Sequence, residues 1–473
     1  MAGLSTIVEY LKGDGDVGYR CGYCKNPNGS FSRGMWAHRM TCQDYEDLID
    51  RGWRRSGKYV YKPTMKKSCC PPYTIRCDST EFRLSKSQKK VLKKFVRYVA
   101  SGSVSAGEAE RQPDKKVKTA RNPDSTVKGV SASKSDVRPG VGADPDKLPC
   151  RKAKDIRRER KLAKQQASAS TVLASSITVS NESKEAAVLS KSSDSTFPAH
   201  GQSETRSLED WILTAIERKD TKHKLTVSLV LCNTSDAEFQ ASYEETYQLF
   251  KIYQMTIHKE TEEDSDRKQF KRFLVDSPLI FSRSEDGPST GYGSFHQQYR
   301  LDGRLIAVGV LDILPHCVSS VYFFYDPEFG FLSLGVYSAL REILVTRQLY
   351  QATPQLKWYY MGYYIHSCEK MSYKGQYYPS YLLCPEVLTW VPIAECVVKL
   401  DMAKFSRLDD HGQLQEPPLH VTLPKVTILS RQEQMTYEVF EAIYHSKHQD
   451  VVKDYISVVG PITATRMLLY LHS

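Results

Sequence analysis

A chain of 473 residues exceeds one ordinary hydrophobic core, so two or three structured units joined by linkers are expected. A net charge of +11 favours an anionic partner such as RNA, with part of that charge in solvated tails. No apolar leader follows Met1, and the longest apolar run, around Leu305 to Leu314, contains Asp312 and is too short to span a bilayer, so a soluble, intracellular protein without a membrane partner is expected.

Six of the twelve cysteines fall in the first 77 residues, a stretch with little apolar periodicity. Residues 1–100 therefore read as a separate, cysteine-rich N-terminal domain that relies on a metal centre, its thiols kept reduced. Ser85 to Ala100 (SKSQKKVLKKFVRYVA) closes it as a basic amphipathic helix with Val91, Leu92, Phe95 and Val99 on the apolar side. Residues 101–206 are rich in Ser, Ala, Lys and Asp, nearly free of aromatics and aperiodic, which predicts a disordered basic linker. Within it, Arg151 to Lys164 carries eight basic residues against two acidic ones, a nuclear-localisation or RNA-contact patch or else a solvated charge run.

Residues 207–473 form the larger unit. Leu225 to Cys232 alternates like a strand, and Ser235 with Glu238 suggests a capping box before a helix bearing Phe239, Tyr243, Phe250 and Ile257. Strands follow at about Arg300–Leu311 and Val318–Phe324, then a helix over Leu334–Leu349, and then a Tyr-rich strand over Trp358–Ile365. A helix over Gln434–Tyr444 and an apolar segment near Met467 make a C-terminal extension. The fold class is α+β or α/β. The order of two strands, a break at Tyr325-Asp326-Pro327 and a helix is the layout with which N-acetyltransferase-like (GNAT-like) folds hold an acyl donor. Their phosphate loop is missing, because Phe329 to Gly335 is bulky and uncharged, so a donor other than acyl-CoA is expected.

Cys21-Gly22-Tyr23-Cys24 is a C-x-x-C knuckle, and the adjacent pair Cys69-Cys70 follows 45 residues after Cys24. Four thiolates match zinc and equally an iron–sulfur cluster. Adjacent cysteines reach one centre only across a turn, which Pro71-Pro72 favours. His38, Cys42 and Cys77 remain as substitutes, and a redox C-x-x-C is the weaker rival.

Long motifs in both regions carry a family likeness: Tyr19 to Cys24, Gly34 to His38, Tyr45 to Tyr61, Cys69-Cys70-Pro71, Arg272-Phe273-Leu274, Gly293 to Glu342, Tyr363 to Cys368 and Pro379 to Pro385. The chain resembles eukaryotic arginyl-tRNA–protein transferases. That resemblance implies a GNAT-like catalytic domain, arginyl-tRNA as donor, and protein acceptors beginning with Asp, Glu or oxidised Cys. It also implies a role in N-degron, ubiquitin-dependent degradation in the cytoplasm and nucleus, with zinc or an iron–sulfur cluster on Cys21, Cys24, Cys69 and Cys70. A non-catalytic, metal-stabilised RNA-binding adaptor is the alternative.

An aminoacyl ester is already activated, so its transfer to an amine needs neither ATP nor CoA, and positioning with oxyanion stabilisation should dominate. Asp312 and Asp326, at the ends of the two central strands, are the expected proton or amine groups, with Tyr325 near the reacting carbonyl. Glu328 and Glu342 are candidates for gripping a guanidinium; Arg341, Lys370 and Lys374 for binding an acidic acceptor; His366 for moving a proton. Tyr363, Tyr364 and Tyr373 would stack on the tRNA terminus, and Arg267, Lys268, Lys271 and Arg272 would contact phosphates, with Arg54, Arg55, Lys66, Lys67 and the helix after Ser85 as a second basic patch.

Overall fold

The computed structural model describes residues 5–13, 17–103, 206–217, 220–445 and 448–472. Apart from its ends, the expected linker with its Arg151–Lys164 patch lies outside the described residues. The strands are β1 (Ile7–Leu11), β2 (Ser32–Arg39), β3 (Arg54–Ser56), β4 (Tyr59–Pro63), β5 (Tyr73–Asp78), β6 (Leu225–Leu231), β7 (Gly293–Leu301), β8 (Arg304–Ile313), β9 (Cys317–Tyr325), β10 (Trp358–Tyr364), β11 (Ser380–Leu383), β12 (Trp390–Pro392), β13 (Thr427–Ser430), β14 (Glu433–Thr436) and β15 (Leu468–Tyr470). The longer helices are α1 (Cys42–Ile49), α2 (Lys86–Ser101), α3 (Leu208–Glu217), α4 (Ala237–Tyr253), α5 (Leu334–Ala352), α6 (Ile393–Met402), α7 (Tyr437–Tyr444) and α8 (Gln449–Val459).

Asp302 and Gly303 both have positive φ, 53° and 86°, the conformation of a two-residue hairpin turn, and they separate β7 from β8. The single strand expected over Arg300–Leu311 is thus two, folded at an Asp-Gly turn that the apolar pattern hides. The helix cap before α4 is likewise Asp236, whose carboxylate accepts from the Phe239 N–H, and not Ser235.

Two mixed sheets organise the described residues, one in the order β14-β13-β15-β1-β2-β4-β3 and one in the order β12-β11-β5-β10-β9-β8-β7-β6. In the first, β1 pairs in parallel with β15, so a segment near the start of the chain and one near its end share a ladder. In the second, β5 lies between β10 and β11. The first hundred residues are therefore not a domain apart. Tyr73, Ile75 and Cys77 of β5 share one buried cluster with Tyr359 and Leu382, and α2 buries Leu92, Phe95 and Val99 in that cluster, with Phe95 stacked 3.8 Å from Tyr337 of α5. A segment with no core of its own has borrowed one, which its local sequence cannot reveal.

The feature that matters for function is a parting of strands. β9 and β10 pair in parallel only at Cys317–Trp358, Val318–Tyr359 and Ser319–Tyr360. Beyond that point β9 runs on to Tyr325, while β10 shifts register against β5 between Tyr360 and Tyr363 and turns at Gly362, φ 71°. The strands open over the first half of α5. Among the described residues no helix is long and apolar enough to cross a membrane.

Candidate active site and metal centre

The opening between β9 and β10 is a cavity of about 660 Å³, walled by Ser319–Phe323 and Tyr325 of β9, Met361–Tyr363 of β10, Ser338 and Glu342 of α5, and Arg54–Ser56 of β3. Lys370, Tyr373 and Lys374, on the short turns after β10, close one side, and Tyr23, from the cysteine knuckle, closes another. Of the residues expected from the sequence, Tyr325, Glu342, Lys370, Lys374, Tyr363 and Tyr373 meet here.

Glu342 is 1 % exposed, and its carboxylate accepts from the hydroxyls of Ser338 and of Tyr359, the latter at 2.6 Å. Burial raises its pKa, and hydroxyl donors, including Ser320, only partly offset the rise. No cationic side chain pairs with it among the described residues. It is a buried acid at a cavity wall whose partners are all neutral.

Asp312 is placed differently from the expectation. It is fully buried behind the wall, where Arg55 Nε and Nη2 donate to its two oxygens at 2.8 and 2.7 Å and the Ser294 hydroxyl donates at 2.7 Å. Burial acts to lower the Arg55 pKa, but the charge and hydrogen bonds of Asp312 outweigh it and hold the guanidinium above its ordinary value. Both carboxylate oxygens are consumed, so Asp312 does not face a substrate; Arg55, which lines the cavity, does.

Asp326 is also outside the cavity. It caps the turn after β9, accepting from the Glu328 N–H at 3.0 Å, and it pairs with Arg304, which also holds the exposed Glu328 at 3.0 Å. Arg341 is buried on α5 but away from the cavity lining. His366 sits between Tyr364 Oη and Asp401, each at 2.8 Å, which accounts for both His366 and Tyr364 structurally.

The basic face over Arg267–Arg272 is exposed but largely matched: Arg267 pairs with Glu244, Lys271 with Asp276, and Arg272 donates to Gln269 at 2.6 Å. Lys268 lies beside them on the same surface. On α2, in contrast, Lys86, Lys90, Lys93 and Arg97 recur at helical spacing on the exposed face with no ion pair to a described residue. Both surfaces are expected phosphate contacts, and they differ in that the Arg267 face meets acidic neighbours such as Glu244 from another helix.

The four expected cysteines do converge. The sulfurs of Cys21, Cys24, Cys69 and Cys70 all lie within 4.8 Å of one another, with Cys24 and Cys69 at 3.2 Å. Four ligands at about 2.3 Å on a tetrahedral ion would stand about 3.8 Å apart, so the donor set fits a metal. The Tyr23 N–H points at Cys21 Sγ at 3.4 Å, and Lys25 takes the left-handed conformation, φ 67°, that closes the knuckle. A backbone hydrogen bond at Asn26, followed by the Cys69 thiol, brings the Cys24 pKa down to about 7, while Cys69 moves up. A metal binds such a set as thiolates, displacing the protons of the thiols. Ile365, Cys368 and Met371 pack against the cluster, and Met371 also lines the cavity. His38, Cys42 and Cys77 take no part in it.

Arg54, Tyr23, Tyr61, Tyr253 and His258 line the cavity without having been singled out for it. Arg54 and Arg55, expected with Lys66 and Lys67 as a phosphate-contacting patch, are instead buried at the cavity wall.

Residues 19–90 match the family described as arginine-tRNA-protein transferase, N terminus, and residues 245–384 match its C terminus. Arginyl-tRNA–protein transferase 1 of Drosophila melanogaster is 38 % identical over 98 % of this chain and 99 % of its own length. The Arabidopsis thaliana protein of the same name is 35 % identical over 82 % of this chain and 74 % of its own. An aspartate/glutamate leucyltransferase of Stutzerimonas stutzeri is 38 % identical over 32 % of this chain and 56 % of its own. With identity at that level along nearly its whole length, the chain belongs to the arginyl-tRNA–protein transferases, a family of aminoacyltransferase enzymes.

Proposed function

We propose that the protein transfers arginine from arginyl-tRNA to the α-amino group of proteins whose first residue is Asp, Glu or oxidised Cys, and so marks them for N-degron, ubiquitin-dependent degradation in the cytoplasm and nucleus. The observation that carries this reading is Glu342: a buried carboxylate, open to a cavity and lacking a cation, is built to receive one. Asp312 shows inside the same protein what such a carboxylate does with a guanidinium, gripping it through two nitrogens. The arginine side chain of the donor is the cation that Glu342 lacks. Acceptor class is supported by the relative whose name specifies aspartate and glutamate.

With arginine seated on Glu342, its ester carbonyl lies in the opening between β9 and β10. Among the described residues the edge of β9 beyond Ser319 has no strand partner on that side, so its backbone N–H groups are available to an oxyanion. This parted sheet is what supports a GNAT-like reading of the fold. Tyr325 is half-buried at that edge, its pKa raised by burial, and stays a neutral phenol able to donate a hydrogen bond. A free α-amine has a pKa of about 7.7–8.0, so a useful fraction is neutral near pH 7 and little base catalysis is demanded. Amine attack forms the tetrahedral intermediate, and its collapse releases the ribose hydroxyl of the tRNA. Tyr363 and Tyr373 offer aromatic surface for the unstacked tRNA end.

The four cysteines would hold zinc or an iron–sulfur centre, whose contribution is to fix the knuckle that presents Tyr23 to the cavity. Elemental analysis with an absorption spectrum assigns it; protein without bound metal would exclude it. A non-catalytic adaptor is disfavoured because the family consists of enzymes. The decisive assay supplies tRNA charged with labelled arginine and two peptides, one beginning with Asp and one with Gly. Label on the Asp peptide alone is expected, and equal labelling or none overturns the proposal.

A further inference from the structure

Besides the exposed Lys370, two better-shielded cations on the cavity wall, Arg54 and Lys374, have no anion to match them among the described residues. Arg54, 6 % exposed, donates from Nη1 to the Trp53 carbonyl at 2.6 Å and from Nη2 to the Gly362 carbonyl at 3.2 Å, and its Nε has no partner among the described residues. The Tyr363 ring lies 5.1 Å from its guanidinium carbon. Lys374 Nζ donates to the carbonyls of Met361 at 2.7 Å and Tyr363 at 2.9 Å. Three successive carbonyls of the β10 bulge, at 361, 362 and 363, therefore hold both cations, and the bulge exists because Gly362 adopts φ 71°.

Carbonyl dipoles orient these charges without cancelling them. Neither cation forms an ion pair with a described carboxylate, and burial, followed by the charge of Arg54, pushes the Lys374 pKa down to about 8. Asp50 feels the field of Arg54, but its carboxylate accepts from Tyr360 Oη at 2.5 Å and burial raises its pKa to about 6, so it offsets only part of the charge. Two adjacent half-compensated cations in a low-dielectric wall are stable as a waiting site for an anion. They share that cavity with Glu342, which waits for a cation.

We infer that Arg54 and Lys374, held by the carbonyls of Met361, Gly362 and Tyr363, form a subsite for the carboxylate of the acceptor's first side chain. The inference rests on the arginyl-transfer reading above. The chemistry of the acceptor favours this ligand. An Asp or Glu carboxylate is one or two methylenes from the Cα that carries the attacking amine, so it must fall inside the cavity whenever that amine reaches the ester. The ribose separates the ester from the nearest tRNA phosphate, which is thereby held farther from the reacting atoms. Sulfinate or sulfonate of an oxidised Cys presents the same oxyanion at the same reach. The cavity then has two unlike ends: Glu342 for the donated guanidinium, Arg54 and Lys374 for the accepting acid.

The test compares the full-length protein with Lys374→Met, Lys374→Arg and Arg54→Met at saturating arginyl-tRNA, using peptides that begin with Asp, Glu or the neutral isostere Asn. Thermal unfolding and metal content establish that each variant is folded; Lys374→Arg keeps the charge if the Met variants are not. Lys374→Met is expected to raise KM for the Asp and Glu peptides about tenfold or more, with kcat within a few-fold and the preference for Asp over Asn falling by the same factor. Lys374→Arg should retain most of that preference. Affinity for uncharged tRNA, read by fluorescence anisotropy, should not change. Preference for Asp over Asn surviving in a folded Lys374→Met or Arg54→Met variant, or lost in a folded Lys374→Arg variant, overturns the subsite. Loss of tRNA affinity with peptide KM unchanged overturns it too, and assigns the cations to RNA phosphate. Failure of the unaltered protein to label any acidic peptide would instead sink the arginyl-transfer reading itself.

Discussion

Asp312, at the end of β8, and Glu342, in the middle of α5, are both buried carboxylates near one cavity, yet they live by opposite rules. Asp312 is satisfied: Arg55 covers both its oxygens, and the pair ties β3 of one sheet to β8 of the other. Glu342 is satisfied only by hydroxyls, which stabilise a carboxylate less than a cation does, so it bears a raised pKa. A buried ion pair that is complete holds a fold in register; one that is half-made holds a place for a ligand. Asp312 thus serves the cavity through Arg55, as a positioning residue.

The comparison breaks first at Asp312. Removing it by Asp312→Ala strands a buried guanidinium and is expected to cost about 3–5 kcal/mol of folding stability, read by denaturant unfolding. Replacing both members, as Arg55→Met with Asp312→Leu, should recover most of that loss while leaving the cavity without one of its cations. If the single variant is as stable as the unaltered protein, the pair is not an anchor.

Glu342→Gln is the next largest effect and opposite in kind. It preserves shape and hydrogen bonding but removes the charge, so arginyl transfer should drop roughly a hundredfold while the fold persists. Full activity in this variant would remove Glu342 from arginine recognition. Its stability should also change with pH in a definite sense. Because the folded-state pKa of Glu342 is raised, its contribution is fully present below the unfolded value, about 4.3, and is lost as pH rises through the folded value. The Gln variant lacks that loss, so its stability relative to the unaltered protein should grow as pH climbs from about 4.3, and a growing deficit would contradict the assignment.

The smallest effect concerns the two basic surfaces, which repeat the contrast between matched and unmatched charge at the exterior. Lys86→Glu with Lys90→Glu and Lys93→Glu on α2 should weaken tRNA binding and flatten its salt dependence by about one unit of slope for each phosphate no longer neutralised. Arg267→Glu with Lys271→Glu, whose cations already face Glu244 and Asp276, should do markedly less. The reverse order in a binding titration would move the RNA interface to the Arg267 face.

Legibility followed the range of the interaction. The cysteine quartet was readable because the knuckle and the Pro-stopped pair each set two sulfurs locally, leaving one meeting to tertiary structure. Tyr325, Glu342, Lys370 and Lys374 line the cavity because they sit close along the chain to the strand–break–helix unit that forms it. Arg54 was legible only as part of a basic surface patch, because the carbonyl it holds, that of Gly362, lies 308 positions away. Asp312 was misjudged for the same reason, its guanidinium being 257 positions distant. The seven-stranded sheet escaped notice altogether, since its strands are short and β1 finds β15 only across almost the whole chain.

The sequence by itself determined the elements around the cavity, the thiol donor set and the family likeness, because periodicity, knuckle spacing and long motifs are properties of neighbouring residues. Only the tertiary structure decided which charges are paired. A side chain's charge is written in its residue type, but the energy of that charge depends on burial and on what stands a few ångströms away. That is why Asp312 proved to be an anchor, while Glu342, Arg54 and Lys374 were left unmatched at the edge of one cavity.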